Sequence, residues 1–230
     1  MIFALGAAAV LLGGAAAHGA FHRNSPLFGR PIRKLASDGR AVALTFDDGP
    51  NPDATPVILE ALRARGVKAT FFILGRHAER WPDLVKRVAD EGHAIGNHGY
   101  FHRKLHFKSP AYVRDDLTRG TAMIERASGV HPALFRAPHG FRSPWVTAIA
   151  SSLGQRTVGW SLGVWDSDRP GVDAIVRKTL DGTRPGSILL LHDGDGYDPS
   201  GDRMQTAQAV PLIVDRLLED GYQFALLDAE

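Results

Sequence analysis

The chain has 230 residues, of which 44% are hydrophobic and 23% charged, enough apolar matter to bury one full core and too much for a disordered chain. Its formal net charge is +2 and no basic run with interleaved aromatics occurs, which argues against nucleic acid as a partner. The absence of cysteine excludes disulfides and leaves the compartment open.

The chain opens on an almost wholly apolar stretch, Met1 to Ala17, so residues 1–20 read as a signal peptide or a short membrane anchor. As a span the stretch is marginal, since a transmembrane helix needs roughly 17 to 25 apolar residues. The triplet Ala15-Ala16-Ala17 offers small residues for cleavage. No Lys or Arg precedes the stretch and Arg23, Arg30, Arg33 and Lys34 follow it, a charge bias opposite to that of export. Membrane attachment through residues 2–17 is one expectation, with 21–40 a linker and 41–230 a single domain without internal repeats.

From Ala41 onward, apolar runs alternate with helical patterns. Strands are expected at Ala41 to Phe46, Val67 to Leu74, His93 to Asn97, Ala133 to Arg136, Arg156 to Leu162, Ser187 to His192 and Tyr222 to Leu227. Helices are expected at Thr55 to Arg65, Pro82 to Glu91, Pro110 to Ala127, Pro144 to Leu153, Val172 to Asp181 and Met204 to Asp220. Several start at proline and stop near glycine, as at Glu91-Gly92, Ser128-Gly129 and Asp220-Gly221. Seven strands alternating with helices predict parallel βα units, hence an α/β fold, without choosing between an open sheet and a barrel.

Polar residues gather where these strands end. The first runs into Thr45-Phe46-Asp47-Asp48-Gly49-Pro50, two adjacent carboxylates followed by chain breakers at the sheet's carboxyl end, where α/β folds place their chemistry. The plainer reading is an Asx-type turn capping the next helix. After the third strand, His98 and His102 stand four apart, and one helical turn would put both on one face. Two histidines and a carboxylate, which Asp48 could supply, form a common set for catalytic zinc. Phe135-Arg136-Ala137-Pro138-His139-Gly140, Trp160 to Asp166 and Ile188 to Gly194 add further polar groups at strand ends. The segment Asp193 to Arg203, rich in Gly and Asp, reads as an irregular loop beside His192 whose acids form either a substrate rim or, the favoured reading, a solvated loop.

TFDDGP, HxxxH, the Arg136-Ala137-Pro138-His139-Gly140 run and the Leu190-Leu191-His192 strand end, in this order, resemble the motifs of the polysaccharide deacetylases of carbohydrate esterase family 4, the NodB-homology domains. The resemblance runs from about Val42 to Leu227 and implies a distorted (β/α)7 barrel. It further implies Asp47 as general base, and Asp48, His98 and His102 as ligands of a divalent metal, zinc first. Arg136 would hold Asp47, and His192 would act as general acid on the leaving amine, a step amides need because an amine anion leaves poorly. The backbone N–H of His139 would polarise the acetyl oxygen, and Asp166 would orient His192.

Three positions depart from the family pattern. Gly99 stands where Ser or Thr usually follows the first histidine, so the hydrogen bond that steadies that loop is missing and weaker metal binding is expected. His139 replaces a tyrosine, which leaves a backbone role intact. The fourth motif, usually a pair of acids and a tryptophan, reads Gly163-Val164-Trp165-Asp166-Ser167; Trp165 either replaces the aromatic wall against the acetyl methyl or is a core tryptophan. The expected activity is metal-dependent removal of acetyl groups from glycans containing N-acetylglucosamine, such as chitin oligomers or peptidoglycan, outside the cytoplasm where such polymers lie. An O-acetyl esterase acting on acetylated xylan and a carbohydrate-binding relic without catalysis are the alternatives.

Overall fold

Val42 to Asp47 are buried without a break, as a strand must be when helices cover one face of its sheet and a packed interior the other. This strand, Ala41–Asp47 (β1), lies at the centre of the computed structural model, which describes residues 13–36 and 39–227. In chain order follow α1 (Ala54–Ala64), β2 (Thr70–Ile73), α2 (Gly75–Arg80), α3 (Pro82–Asp90), β3 (Ala94–Asn97), α4 (Pro110–Ser128), β4 (Leu134–Phe135) and α5 (Pro144–Ser152). Then come β5 (Arg156–Thr157), β6 (Leu162–Gly163), α6 (Val172–Gly182), β7 (Ile188–His192), α7 (Met204–Glu219) and β8 (Gln223–Phe224).

Every strand pairing is parallel, in the order β5-β4-β3-β2-β1-β7-β6, with β8 on the first residues of β1. The sheet curls into the expected distorted (β/α)7 barrel, with eight short strands among the described residues where seven were expected. The extra strand arises because the run Arg156 to Leu162 divides: its start pairs with β4, its end with β7, and residues 158–161 cross the gap between the sheet's two ends. Ile32 joins the crossing through a parallel bridge to Val158.

Alternation along the strands sorts the residues into two layers. Val42, Leu44 and Phe46 of β1, Phe71 and Ile73 of β2, and Leu189 and Leu191 of β7 face outward into the main core, where they meet Ile58 and Leu62 of α1 and Ile213 and Val214 of α7. The intervening residues face the barrel interior, where Ala43, Phe72 and Ile188 form a smaller cluster. The same alternation turns Asp47 and His192 inward at the carboxyl mouth, and the register of β1 on β7 sets these two side by side.

Helix bounds fall within one residue of those expected; α3, α4 and α5 start with proline at N1, and Gly129 closes α4 at φ 74°. The short α2 was not expected, since its six residues carry too few apolar positions to show a period. Residues 21–40, read as a linker, lie against the domain where described, and Leu35 N donates to Gly186 O. Residues 2–12 of the apolar stretch lie outside the described residues, 13–21 are helical, and among the described residues no helix is long and apolar enough to cross a membrane.

Phe46 is fully buried and stacks on Phe71 with centroids 5.0 Å apart. Phe46→Ala should lower the unfolding free energy by about 3–5 kcal/mol in a urea titration; a loss below about 1 kcal/mol would mean the core closes differently.

Candidate active site

The turn after β1 is pinned from three sides. Asp48 has φ 73°, and His77, buried on α2, donates from Nδ1 to its carbonyl at 2.7 Å. Leu74 N donates to Gly49 O at 3.1 Å and Asp193 N to Asp47 O at 3.2 Å, so the ends of β2 and β7 hold the turn. His98 directly follows β3, its N–H donating to Ile73 O at 2.9 Å.

His98 and His102 do not share a helical face as the spacing suggested; they lie on a loop in which Gly99 (φ 78°) and His102 (φ 56°) reverse the chain. The loop folds back until the two imidazole centroids are 5.3 Å apart. The Asp116 carboxylate of α4 accepts from Tyr100 N at 3.0 Å and Phe101 N at 3.1 Å, and a Cβ on Gly99 would come within 2.5 Å of Asp116 Oδ2. The loop is thus steadied by an acid across the fold.

Asp48 Oδ1 lies 3.3 Å from His98 Nε2 and 3.2 Å from His102 Nε2. All three residues are buried, with ligand atoms within 4.8 Å of one another, and Asp48 Oδ1 has no hydrogen-bond partner. His98 Nδ1 donates to Arg136 O at 2.8 Å, which fixes the tautomer and leaves Nε2 free to ligate. A buried carboxylate oxygen without a partner, facing two imidazole lone pairs, fits a divalent cation. Although burial opposes its ionisation, the His102 and His98 imidazoles hold the Asp48 carboxyl well below the usual range.

Arg136 is fully buried and donates to Asp47 Oδ1 at 2.7 Å, to Thr45 Oγ1 at 2.8 Å and to Gly159 O at 3.0 Å, so it is no surface ion pair. His192 donates from Nδ1 to Asp166 Oδ1 at 2.9 Å, while Asp166 Oδ2 accepts from His192 N and Thr206 Oγ1, each at 2.8 Å. Burial alone would lower the His192 pKa, but the charge and hydrogen bond of Asp166, with Asp48 and Asp47 beyond, push it up to about 9.

Asp47, Asp48, His98, His102 and His192 line one cleft of about 630 Å³, with Arg136 and Asp166 buried behind it. His139 sits in it at φ 60°, its ring 4.6 Å from that of His102 and its Nε2 hydrogen-bonded to Tyr197 Oη at 3.1 Å. Trp165 is neither core nor buried wall: it lines the cleft with 69% of its surface exposed, and Val164 and Leu190 supply the buried apolar lining. The segment after His192 is no idle solvated loop. Asp195, Gly196 and Tyr197 line the cleft, and Arg203 braces them by donating to Gly194 O at 2.7 Å and Asp195 Oδ2 at 2.8 Å. Sequence reasoning missed His77, Asp116, Tyr197 and Asp193, a buried acid whose pKa burial pushes up to about 7 against the hydrogen bond from Thr55. Only Asp116 left a signal, as an acid within the buried stripe Val113, Leu117, Gly120 and Ile124 of α4.

The polysaccharide deacetylase family profile matches residues 34–158, and the chain belongs to that family. It is 39% identical over 196 residues to a chitooligosaccharide deacetylase of Bradyrhizobium, covering 81% of this chain and 89% of that one. It is 37% identical to a peptidoglycan-N-acetylglucosamine deacetylase of Bacillus cereus, covering 83% and 88%. Among solved structures, a family 4 carbohydrate esterase from Streptomyces lividans in complex with acetate superposes with a TM-score of 0.75 at 30% identity, covering 84% of this chain and 95% of that one. A family 4 pseudoenzyme of Bacillus anthracis superposes at 0.78 with 29% identity, covering 86% and 69%.

Asp116→Ala should weaken divalent-cation affinity by roughly 10- to 100-fold in a chelator competition, and Gly99→Ser should weaken it too rather than strengthen it. Unchanged affinity in Asp116→Ala would show that the loop holds its shape without this acid.

Proposed function

We propose that the protein is a metal-dependent hydrolase that removes acetyl groups from glycans containing N-acetylglucosamine, working outside the cytoplasm. The observation that carries the reading is the pairing of an arginine-held carboxylate, Asp47, with a carboxylate-held imidazole, His192, on adjacent strands beside the Asp48, His98 and His102 cluster. Because a pseudoenzyme shares the fold, the fold alone does not support catalysis; the complete set of acid, base and ligand side chains does.

Asp48, His98 and His102 would hold the cation, zinc by the donor set, and the cation when bound supplies Lewis-acid polarisation of the acetyl carbonyl and acidifies water. Asp47 accepts a proton from the attacking water, and its ion pair with Arg136 holds it aimed. The backbone N–H of His139 assists at the acetyl oxygen, and Val164 and Leu190 receive the methyl. As the carbon–nitrogen bond breaks, His192 gives its Nε2 proton to the amine, so acetate and a free amino sugar leave. With a pKa near 9, His192 is protonated at neutral pH and ready for that transfer.

Acetate release should be read from chitin oligomers, peptidoglycan and acetylated xylan, with metal-stripped protein, with and without zinc. Release from the N-acetyl glycans only with zinc is expected; release from xylan alone would make the bond an ester, and glycan binding without release would leave a binding relic. Asp47→Asn should keep zinc and lose turnover by about 10²-fold or more, whereas Asp48→Ala should lose zinc.

The pH profile follows from His192. Its acid form is present below its pKa and lost above it, so kcat/KM should fall on the alkaline side. A bound cation offsets the Asp48 contribution, which puts that fall at or below about pH 9. Asp166→Asn removes the main raising influence, so the fall should move toward the ordinary histidine value of about 6.5; an unmoved alkaline limb would show that another group supplies the proton.

A further inference from the structure

We propose that residues 18–28 are a substrate-binding wall of the cleft, which holds the sugar next to the one that loses its acetyl group. The inference rests on the glycan reading above. Phe21, His22 and Arg23 line the same cleft as Asp47, Asp48 and His192. They reach it through Trp160 and Phe141 rather than through the reacting groups: Asn24 Nδ2 donates to Trp160 O at 2.8 Å, Arg23 lies over the Trp160 ring at 5.2 Å, and Phe21 meets Phe141 edge-on at 5.4 Å. The part of a ligand they touch is therefore beyond the acetyl group.

The segment is fixed from below. The Arg142 guanidinium, 1% exposed, has no carboxylate partner and donates instead to the carbonyls of Ser25 at 2.9 Å, Arg23 at 3.2 Å, His22 at 3.4 Å and Phe28 at 3.5 Å. Arg142 N donates to Ala20 O at 3.0 Å and Thr147 Oγ1 to Phe28 O at 2.6 Å. A buried cation whose hydrogen bonds all end on one short segment holds that segment in one shape. Gly140, at φ 73°, lets it approach, since a Cβ there would lie 2.9 Å from Arg23 Cβ.

What the segment presents suits a sugar. Phe21 is 50% exposed and Phe107, 6.2 Å away, 76% exposed, so aromatic faces continue outward from the polar cleft. Such faces pack against the C–H side of a pyranose, while a guanidinium stacked on Trp160 keeps N–H donors for hydroxyls. A site that takes a sugar chain needs contacts of this kind on both sides of the reacting unit.

The test compares parent protein with Phe21→Ala and Arg23→Ala, both surface changes that leave the Arg142 anchor intact. On chitin pentamer, KM should rise on the order of tenfold with a smaller fall in kcat, and the effect should shrink on the dimer. Unchanged KM in both variants, or an equal effect on dimer and pentamer, would overturn the proposal. Pentamer affinity of metal-free parent and variants by calorimetry separates this from the catalytic reading. If the parent binds but releases no acetate, the catalytic reading fails and weaker binding by the variants still upholds the wall; equal binding, or none by the parent, removes it.

Discussion

One buried cation organises the catalytic mouth. Arg136 stands just past β4 and reaches under the sheet's carboxyl edge to Asp47 and Thr45 of β1, to the carbonyl of Gly159 on the crossing between β5 and β6, and over the Phe72 ring at 4.0 Å. Its own carbonyl takes the His98 Nδ1 proton. Its two terminal nitrogens find partners in Asp47, Thr45 and Gly159, and removing it would strand Asp47 without its buried ion-pair partner. Asp47, His98 and the seam of the barrel are thus tied to a single side chain, so each stays in place only while the others do.

Around that anchor the backbone is under strain. Asp48, His102, His139 and Trp165 all have positive φ without being glycine, and all four line the cleft. Such conformations cost about 1–3 kcal/mol each and persist only where neighbours over-determine them. Here the neighbours are visible: His77 on the Asp48 carbonyl, Asp116 on the amides before His102, and Tyr197 on the His139 ring. His77 and Asp116 hold the backbone that carries the cluster, while Tyr197 packs edge-on against the His102 ring at 5.3 Å.

The legibility of this arrangement follows from which forces are local. Helix limits were readable because proline and glycine act on their own dihedrals, and the inward aim of Asp47 was readable because strand alternation needs no partner. The division of Arg156 to Leu162 was hidden, since nothing within the run tells it that its two ends pair on opposite edges. The histidine pair misled for a related reason: spacing suggested a helix, but Gly99 and the acid that replaces its missing side chain, Asp116 on α4, make a loop. Asp116, His77 and Tyr197 act across the fold, where a single sequence carries little trace of pairing.

The register of β1 on β7 has a further consequence. Asp47 and His192 are paired residues of adjacent parallel strands, so their spacing is set by a ladder of main-chain hydrogen bonds about 4.8 Å wide rather than by any loop. The cleft residues farther out come from elsewhere: Phe21 to Arg23 from the segment before β1, Trp165 from the segment after β6, Tyr197 from the segment after β7. Insertions or exchanges in those segments can reshape the cleft without moving His192 relative to Asp47. Selectivity and reactivity therefore sit on separately mutable parts of the chain, and a lineage can explore new polymers while its chemistry stays fixed.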